Sequence, residues 1–247
     1  KLDPQTTETT LGKGFTEVTG DALHLATEKL LKVHGGHPED SRDALPFKKL
    51  RSAGDYIFDK IQAAAPATRL KVLRNLNSAA TPGSLLQKGY FEAPLRSAFH
   101  TNAAARVAAQ INPLDMLSGA SSTTILGIGG IQSERAITQE AKMIDASHLG
   151  FLDPLHTPEG PRTGVSLRLP VSVVKDGDDV KIPLHNIHTN RTEYLTPAQV
   201  QKATVVFPDQ VTWEGGKPKP IAAKVLAAAE GNEARHVHFG EAQYVMP

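Results

Sequence analysis

The sequence reads as an α+β chain, mostly helical in its first part and rich in strands and hairpins in its last. Three observations support this. Apolar residues recur at helical spacing early in the chain, as in Ala22-Leu23-His24-Leu25-Ala26-Thr27-Glu28-Lys29-Leu30-Leu31. Beyond position 165 the period falls to two, as in Val165-Ser166-Leu167-Arg168-Leu169. Between them, from Asn112 to Leu169, lies a stretch rich in glycine and proline, and irregular segments of such length are uncommon unless they serve a function.

In chain order, residues 1–18 read as an extended lead-in. Asp21 is placed to cap a helix that Gly35-Gly36 ends. A polar loop from His37 to Asp43 follows, and Phe47 to Asp55 leads into a helix to about Ala64. Pro66 suits the first turn of a new helix carrying Leu70, Val72, Leu73 and Leu76, with a turn region from Ala79 to Gly83 behind it. Short helices are expected over Pro94–Phe99 and from Thr101 or Asn102 to Gln110, the second ended by Pro113. In the last part, Val171 to Ile182 reads as a hairpin turning at Asp176-Gly177, and Tyr194-Leu195 as a strand. Thr196-Pro197-Ala198-Gln199 opens a short helix. Val205-Val206-Phe207 and Val211-Thr212-Trp213 are further strands, and Glu214 to Pro218 is an exposed turn.

With 247 residues the chain is long enough for a sizeable core, and no apolar run approaches a membrane span. It has no cysteine, which excludes disulfides and thiolate zinc sites and fits a reducing compartment. The formal net charge is only +1, but its distribution is uneven. Between 51 and 110 stand Arg51, Lys60, Arg69, Lys71, Arg74, Lys88, Arg96 and Arg106 against Asp55, Asp59 and Glu92. Such a zone suits a phosphate-facing surface, and equally a set of solvated helix faces.

The central stretch carries four motifs. These are Asn112-Pro113-Leu114; Gly127-Ile128-Gly129-Gly130-Ile131-Gln132-Ser133-Glu134-Arg135-Ala136; His148-Leu149-Gly150; and Thr157-Pro158-Glu159-Gly160-Pro161-Arg162-Thr163-Gly164. Glycines in this density let backbone approach another chain or a ligand, and Thr-Pro-Glu-Gly-Pro is a rigid turn bearing one carboxylate. In this order and at these spacings the motifs resemble the fork region of the β subunit of multisubunit DNA-directed RNA polymerase. That family carries Asn-Pro-Leu, about a dozen residues, Gly-x-Gly-Gly-Leu-x-x-Glu-Arg-Ala, then His-x-Gly and Thr-Pro-Glu-Gly-Pro-x-x-Gly. Leu50, Arg51, Gly54 and Asp55 fit a looser upstream segment of the family, and Gly240 to Pro247 resembles a hydrophobic stretch further on.

The residue pattern gives an extended lead-in and helix over 1–45; the resemblance implies a lobe/fork region over 46–170 and a β-rich external module over 171–247. It implies a nucleotidyltransferase subunit that lines the active-site cleft and positions the RNA–DNA hybrid and downstream DNA during transcription. Its partners would be a β′-type subunit, the remaining part of β, template DNA and nascent RNA. No cofactor would be bound by this chain, since the catalytic magnesium is expected on the partner subunit and no catalytic residue here. Gly127, Gly129, Gly130, Ser133, Glu134, Arg135 and Arg162 would line the cleft or bind nucleic acid. Asn112, Pro113, His148, Pro158, Glu159 and Gly160 would support it. Location would be the cytoplasm of a bacterium or an infected host cell, with virion packaging as an alternative. The Lys1 start and the missing second half of β suggest an excised piece or a naturally split subunit. The poor match of the first 45 residues suggests a viral or otherwise distant relative.

Each site residue also has a plainer reading. Arg135 suits a bidentate phosphate contact, or an ion pair with Glu134 or Glu159 that braces the loop. Glu159 suits a cap for backbone N–H groups better than a general base. His148 is expected to be packed and hydrogen-bonded. Asp176-Gly177-Asp178-Asp179 reads as a solvated hairpin turn and not a metal site, and His236-Val237-His238 as a surface strand lacking a third zinc ligand. The alternative function is a non-catalytic protein- or nucleic-acid-binding module that retains the polymerase fold. Sparse aromatics argue against a sequence-independent single-strand binder. A hydrolase built on His148, Asp153 and Glu159 is a third reading.

Ser133 replaces an arginine usual in the family, and Gly119-Ala120-Ser121-Ser122 replaces a basic run that in bacterial enzymes lines the hybrid path and the rifamycin pocket. The resemblance therefore leads us to expect a reconstituted enzyme to resist rifamycin-type inhibitors. Inhibition at the usual low concentrations, measured by transcript yield, would contradict this.

Overall fold

The chain is described from a computed structural model covering all residues except 1, 78–80, 86–88, 101, 103, 106, 108–111, 128, 230–232 and 247. It is α+β, and divides into two compact units that are both discontinuous in sequence. Unit 1 comprises Lys1–Leu50, Met143–Leu155 and Leu169–Pro247; unit 2 comprises Arg51–Lys142 and His156–Arg168.

Unit 1 is built on a seven-stranded sheet. Its strands are β3 (Val174–Asp176), β4 (Asp179–Asn186), β5 (Arg191–Leu195), β6 (Val205–Val206), β9 (Lys224–Ala229), β10 (Glu233–His238) and β11 (Tyr244–Val245). They run in the order β10-β9-β6-β11-β4-β3, with β5 also paired to β4; β11 and β6 are parallel and the other pairs antiparallel. The expected hairpin at 176–177 forms with Asp176 opposite Asp179, and Gly177 takes a φ of +61°, as a two-residue turn needs. A second hairpin, β7 (Val211–Glu214) with β8 (Lys217–Pro220), turns through Gly215-Gly216. The short helix α6 (Pro197–Val200) is closed at its start by a capping box of Thr196 and Gln199.

Both faces of this sheet are covered. Along β4, Val180, Ile182 and Leu184 alternate into one core with Leu45, Phe151, Leu195, Val200, Ala203 and Val205. On the other side Val206, Val211, Val225, Ala227, Val237, Ala242 and Val245 form a second core. Adjacent residues of β6 and β11 therefore point into different cores, which is why Val205-Val206 is continuously apolar.

The lead-in is not extended. Helix α1 (Pro4–Leu11) forms there because Asp3 caps it, accepting from the Thr6 amide at 3.1 Å, with Pro4 in the first turn. Its four threonines favour a helix poorly, so the cap and the Gly12 terminus decide. Helix α2 (Gly20–His34) starts from Thr19 and not Asp21, and ends at Gly35 as expected.

Unit 2 holds α3 (Ala53–Asn75), α4 (Glu92–His100), α5 (Pro113–Ala120) and the small ladder β1 (Ser122–Thr124) with β2 (Ser166–Arg168). Pro66 does not start a helix; α3 runs through it as one piece. The cost of an interior proline, roughly 3 kcal/mol, is offset here by the alanine-rich flank Ala63-Ala64-Ala65 and Ala67. Pro113 opens a helix where it was expected only to end one, because Asn112 caps it by accepting from the Leu114 amide at 3.0 Å. The helix expected up to Gln110 falls largely outside the described residues, as does part of the turn region over 79–83. Among the described residues of unit 2, the buried apolar side chains are only Ala98, Leu126, Val165 and Leu167.

Stability should therefore be concentrated in unit 1. Leu184→Ala, at a wholly buried site on β4, is expected to cost about 2–5 kcal/mol in chemical denaturation. A loss below about 1 kcal/mol would show that this core is not the stabilising one.

Candidate nucleic-acid interface

Twelve of the thirteen residues proposed from sequence fall in unit 2, and His148 in unit 1. The glycine-rich segment is a closed turn. The Gly127 amide donates to the Ile131 carbonyl at 2.9 Å, Ile131 to Ile125 at 2.9 Å, and Gly130 to Gly127 at 3.0 Å. Ile125 in turn donates to Val165 at 3.2 Å, which ties the turn to the β1–β2 ladder. A methyl group on Gly130 would lie 2.1 Å from the Ile125 carbonyl oxygen. Gly127 and Gly129 have φ of +118° and +91°. The glycines thus serve tight folding of the turn first.

Ser133 follows as the cap of a single 3-10 turn, Glu134–Ala136, which projects exposed residues. Glu134 is ion-paired with Arg162, joining this turn to the Thr-Pro-Glu-Gly-Pro loop. Arg135 is exposed, and among the described residues no carboxylate pairs with it. The bracing pair with Glu134, one of the two readings of Arg135, is made by Arg162 instead, and Arg135 presents its charge to solvent.

Pro158, Glu159 and Gly160 form the expected turn, with Gly160 at φ +92°. Glu159 does not cap it: its carboxylate is exposed and accepts no hydrogen bond among the described residues. Two threonines do that work. Thr157 Oγ1 accepts from the Gly164 amide at 2.8 Å, and Thr163 Oγ1 donates to the carbonyls of Gly160 at 2.8 Å and Pro158 at 3.0 Å. A hydroxyl both donates and accepts, whereas a carboxylate only accepts, so threonine suits a turn crowded with carbonyls. Gly164 is as constrained as Gly130, since a methyl there would meet the Lys142 carbonyl oxygen at 2.3 Å.

Arg51 was missed as a site residue. Its guanidinium lies against Gly129, is paired with Asp59 and sits 5.0 Å above the Tyr56 ring. The hydrogen bond it donates to the Asp59 carboxylate raises its pKa above the ordinary arginine value. The signal was the loose upstream match at Leu50-Arg51, which does not reveal that it meets the glycine turn. The sequence of unit 2 also carries twelve of the 27 Lys and Arg but only seven of the 26 Asp and Glu, a net +5, which leaves unit 1 at −4.

In unit 1, His148 is packed, and among the described residues neither of its buried ring nitrogens has a hydrogen-bond partner of good geometry. Its neighbour Ser147 donates to Asp145 at 2.6 Å and accepts from the Leu45 amide at 2.7 Å. Burial would raise the Asp145 pKa, but the donors Ser147 and Ser41 outweigh it and hold the carboxyl low. Gly150, at φ +78°, packs against Ile182 and Met246 and lets Phe151 enter the core. The clustered aspartates are engaged structurally: Asp176 pairs with Lys181 at 2.6 Å, and Asp179 accepts from Gln5 at 2.8 Å. His236 and His238 are exposed on β10. Among the described residues no group of three His, Asp or Glu is arranged to hold a metal, and no helix is long and apolar enough to cross a membrane.

Two predictions follow from this geometry. Gly130→Ala should destabilise unit 2 by about 1–3 kcal/mol, read as earlier proteolysis at the turn. Burial lowers the His148 pKa, with Lys48 adding to the shift and Asp145 and Asp43 only partly opposing it. A histidine with a depressed folded-state pKa binds its proton more readily when unfolded, so stability falls as pH drops through the unfolded value of about 6.5. His148→Phe should flatten the melting profile between about pH 7 and 5; an unchanged profile would exclude His148 as the group responsible.

Residues 106–173 match the family model for RNA polymerase Rpb2, domain 3, which covers the glycine turn and the Thr-Pro-Glu-Gly-Pro loop. The chain is 29% identical over 194 residues to the DNA-directed RNA polymerase subunit beta of Salinibacter ruber, covering 75% of this chain and 15% of that protein. It is 26% identical over 211 residues to the subunit of Methylacidiphilum infernorum, covering 81% of this chain and 16% of that one. The chain thus spans about a sixth of the length of the relatives it matches. With the four motifs in order and the matched domain lying on the glycine turn and its brace, this part of the chain is similar to RNA polymerase Rpb2, domain 3, and the chain to a region of bacterial DNA-directed RNA polymerase β subunits.

Proposed function

We propose that this chain works as part of the β-type subunit of a DNA-directed RNA polymerase, with unit 2 lining the active-site cleft and contacting the hybrid or downstream DNA. The observation that carries this reading is the exposed Arg135, which no carboxylate among the described residues pairs with, on a turn whose own carboxylate, Glu134, is already taken by Arg162. A cation left free beside a neutralised pair, on a unit of net +5, is available to a phosphate. Gly127, Gly129, Gly130 and Ser133 shape the turn, Arg162 ties it to the loop of Pro158 and Gly160, and Asn112 and Pro113 open α5 in the same unit. Glu159, exposed and uncommitted, stands on the same loop.

The partners on this reading are a β′-type subunit, the remaining part of β, template DNA and nascent RNA. Nucleotidyl transfer belongs to the assembled enzyme. Magnesium there would stabilise the attacking and leaving oxygens, and its ligands are expected on the partner subunit.

The test is salt-dependent binding of the assembled polymerase to a DNA–RNA scaffold. Arg135→Ala should weaken binding regardless of sequence and reduce the slope of log K against log salt by about 0.7–0.9, one phosphate contact. An unchanged slope would remove Arg135 from the nucleic-acid surface.

A further inference from the structure

We propose that the solvent-facing side of α3, formed by Leu70, Leu73 and Leu76 and edged by Arg69 and Arg74, is a docking surface for an acidic amphipathic helix of another protein. It is separate from the glycine turn and independent of the role given to Arg135.

Helix α3 has a clear inner side. Ile57, Ala64, Thr68, Lys71, Val72 and Asn75 are half-buried at helical spacing. Lys71 lies 4.7 Å over the Tyr90 ring, and Asn75 Nδ2 donates to the Leu85 carbonyl at 3.1 Å, which places Leu85 and Tyr90 on that side. The leucines project elsewhere. Leu70, Leu73 and Leu76 are 57%, 52% and 53% exposed, and Phe58 one face-length back is 63% exposed. Isolated exposed leucines are ordinary, but three at i, i+3 and i+6 on a single helix make a stripe.

Charge indicates what would cover it. From Ile61 to Phe91 the sequence has no Asp or Glu, while Arg69, Lys71, Arg74 and Lys88 all fall there. Arg69 and Arg74 are exposed and have no carboxylate partner among the described residues. An occupant must therefore bring both apolar side chains and negative charge, and a helix with leucines on one face and glutamates beside them supplies both. Nucleic acid would use the arginines and leave the leucines in water, so it accounts for half of the surface only.

The test uses the full chain and a fluorescein-labelled synthetic helix of about 20 residues, with leucine at heptad a and d and glutamate at e and g, followed by anisotropy. We expect binding at least tenfold tighter than to a scrambled peptide of the same composition. Leu70→Gln with Leu73→Gln, and separately Arg69→Gln with Arg74→Gln, should each weaken it about tenfold with the circular dichroism of the chain unchanged. Leu73→Ala alone, a milder change, should weaken it severalfold. Equal affinity for the scrambled peptide overturns the proposal. So does indifference to the leucine changes, with duplex DNA or phosphatidylserine vesicles competing as well as the peptide. Leucine-dependent self-association in sedimentation velocity would assign the stripe to a second copy and overturn it too.

Discussion

A methyl group at position 130 would sit 2.1 Å from one backbone carbonyl, and one at position 164 would sit 2.3 Å from another. These two close approaches are the constraint on which unit 2 depends. The first closes the turn from Ile125 to Ile131; the second seats the end of the Thr-Pro-Glu-Gly-Pro loop against Lys142. With both made, β1 and β2 pair over three residues, and Glu134 and Arg162 come within reach of each other. Unit 2 has little else to rely on, since so few of its described apolar side chains are buried. Backbone fitting substitutes for a large core, and the glycines of the family motif are explained by sterics before any contact with nucleic acid is considered.

The electrostatics follow from that scaffold. Three charged side chains, Glu134, Arg135 and Arg162, meet on two adjoining loops, and two of them neutralise each other. A half-exposed ion pair of this kind contributes little to stability, but it decides which arginine remains free. The same logic holds on a larger scale, because cations gather in unit 2 and carboxylates in unit 1 while the whole chain is close to neutral. Net charge alone hid the division.

Strand and hairpin signals in the last third were legible. Period-two alternation marked β2, the hairpin turning at Asp176-Gly177 placed β3 and the start of β4, Tyr194-Leu195 marked β5, and Thr196 to Gln199 marked α6. Proline was where reading failed. Pro4 and Pro113 each sit one residue after a capping Asp or Asn and begin helices, whereas Pro66 lies inside one. The same residue type starts or interrupts a helix according to its neighbours, and the short α1 is held by its Asp3 cap at one end and by Gly12 at the other. Glu159 and His148 show a second kind of failure. Whether a carboxylate caps a turn, or a buried imidazole finds a partner, depends on which donors the fold brings within about 3 Å. Thr157 and Thr163 were better placed than Glu159, and among the described residues no partner meets the His148 ring nitrogens with good hydrogen-bond geometry.

By itself the sequence determined the fold class, the order of most elements and the four motifs that carry the resemblance to polymerase β subunits, because these rest on local periodicity and on residue types at fixed spacing. Tertiary structure alone decided that Met143–Leu155 crosses into the β-rich unit, that Arg51 meets Gly129, and that Arg162 takes Glu134 and leaves Arg135 free. Those outcomes are choices among partners distant in sequence. Several arginines could satisfy one carboxylate equally well by charge, and only the path of the backbone through its two glycine contacts settles which one arrives.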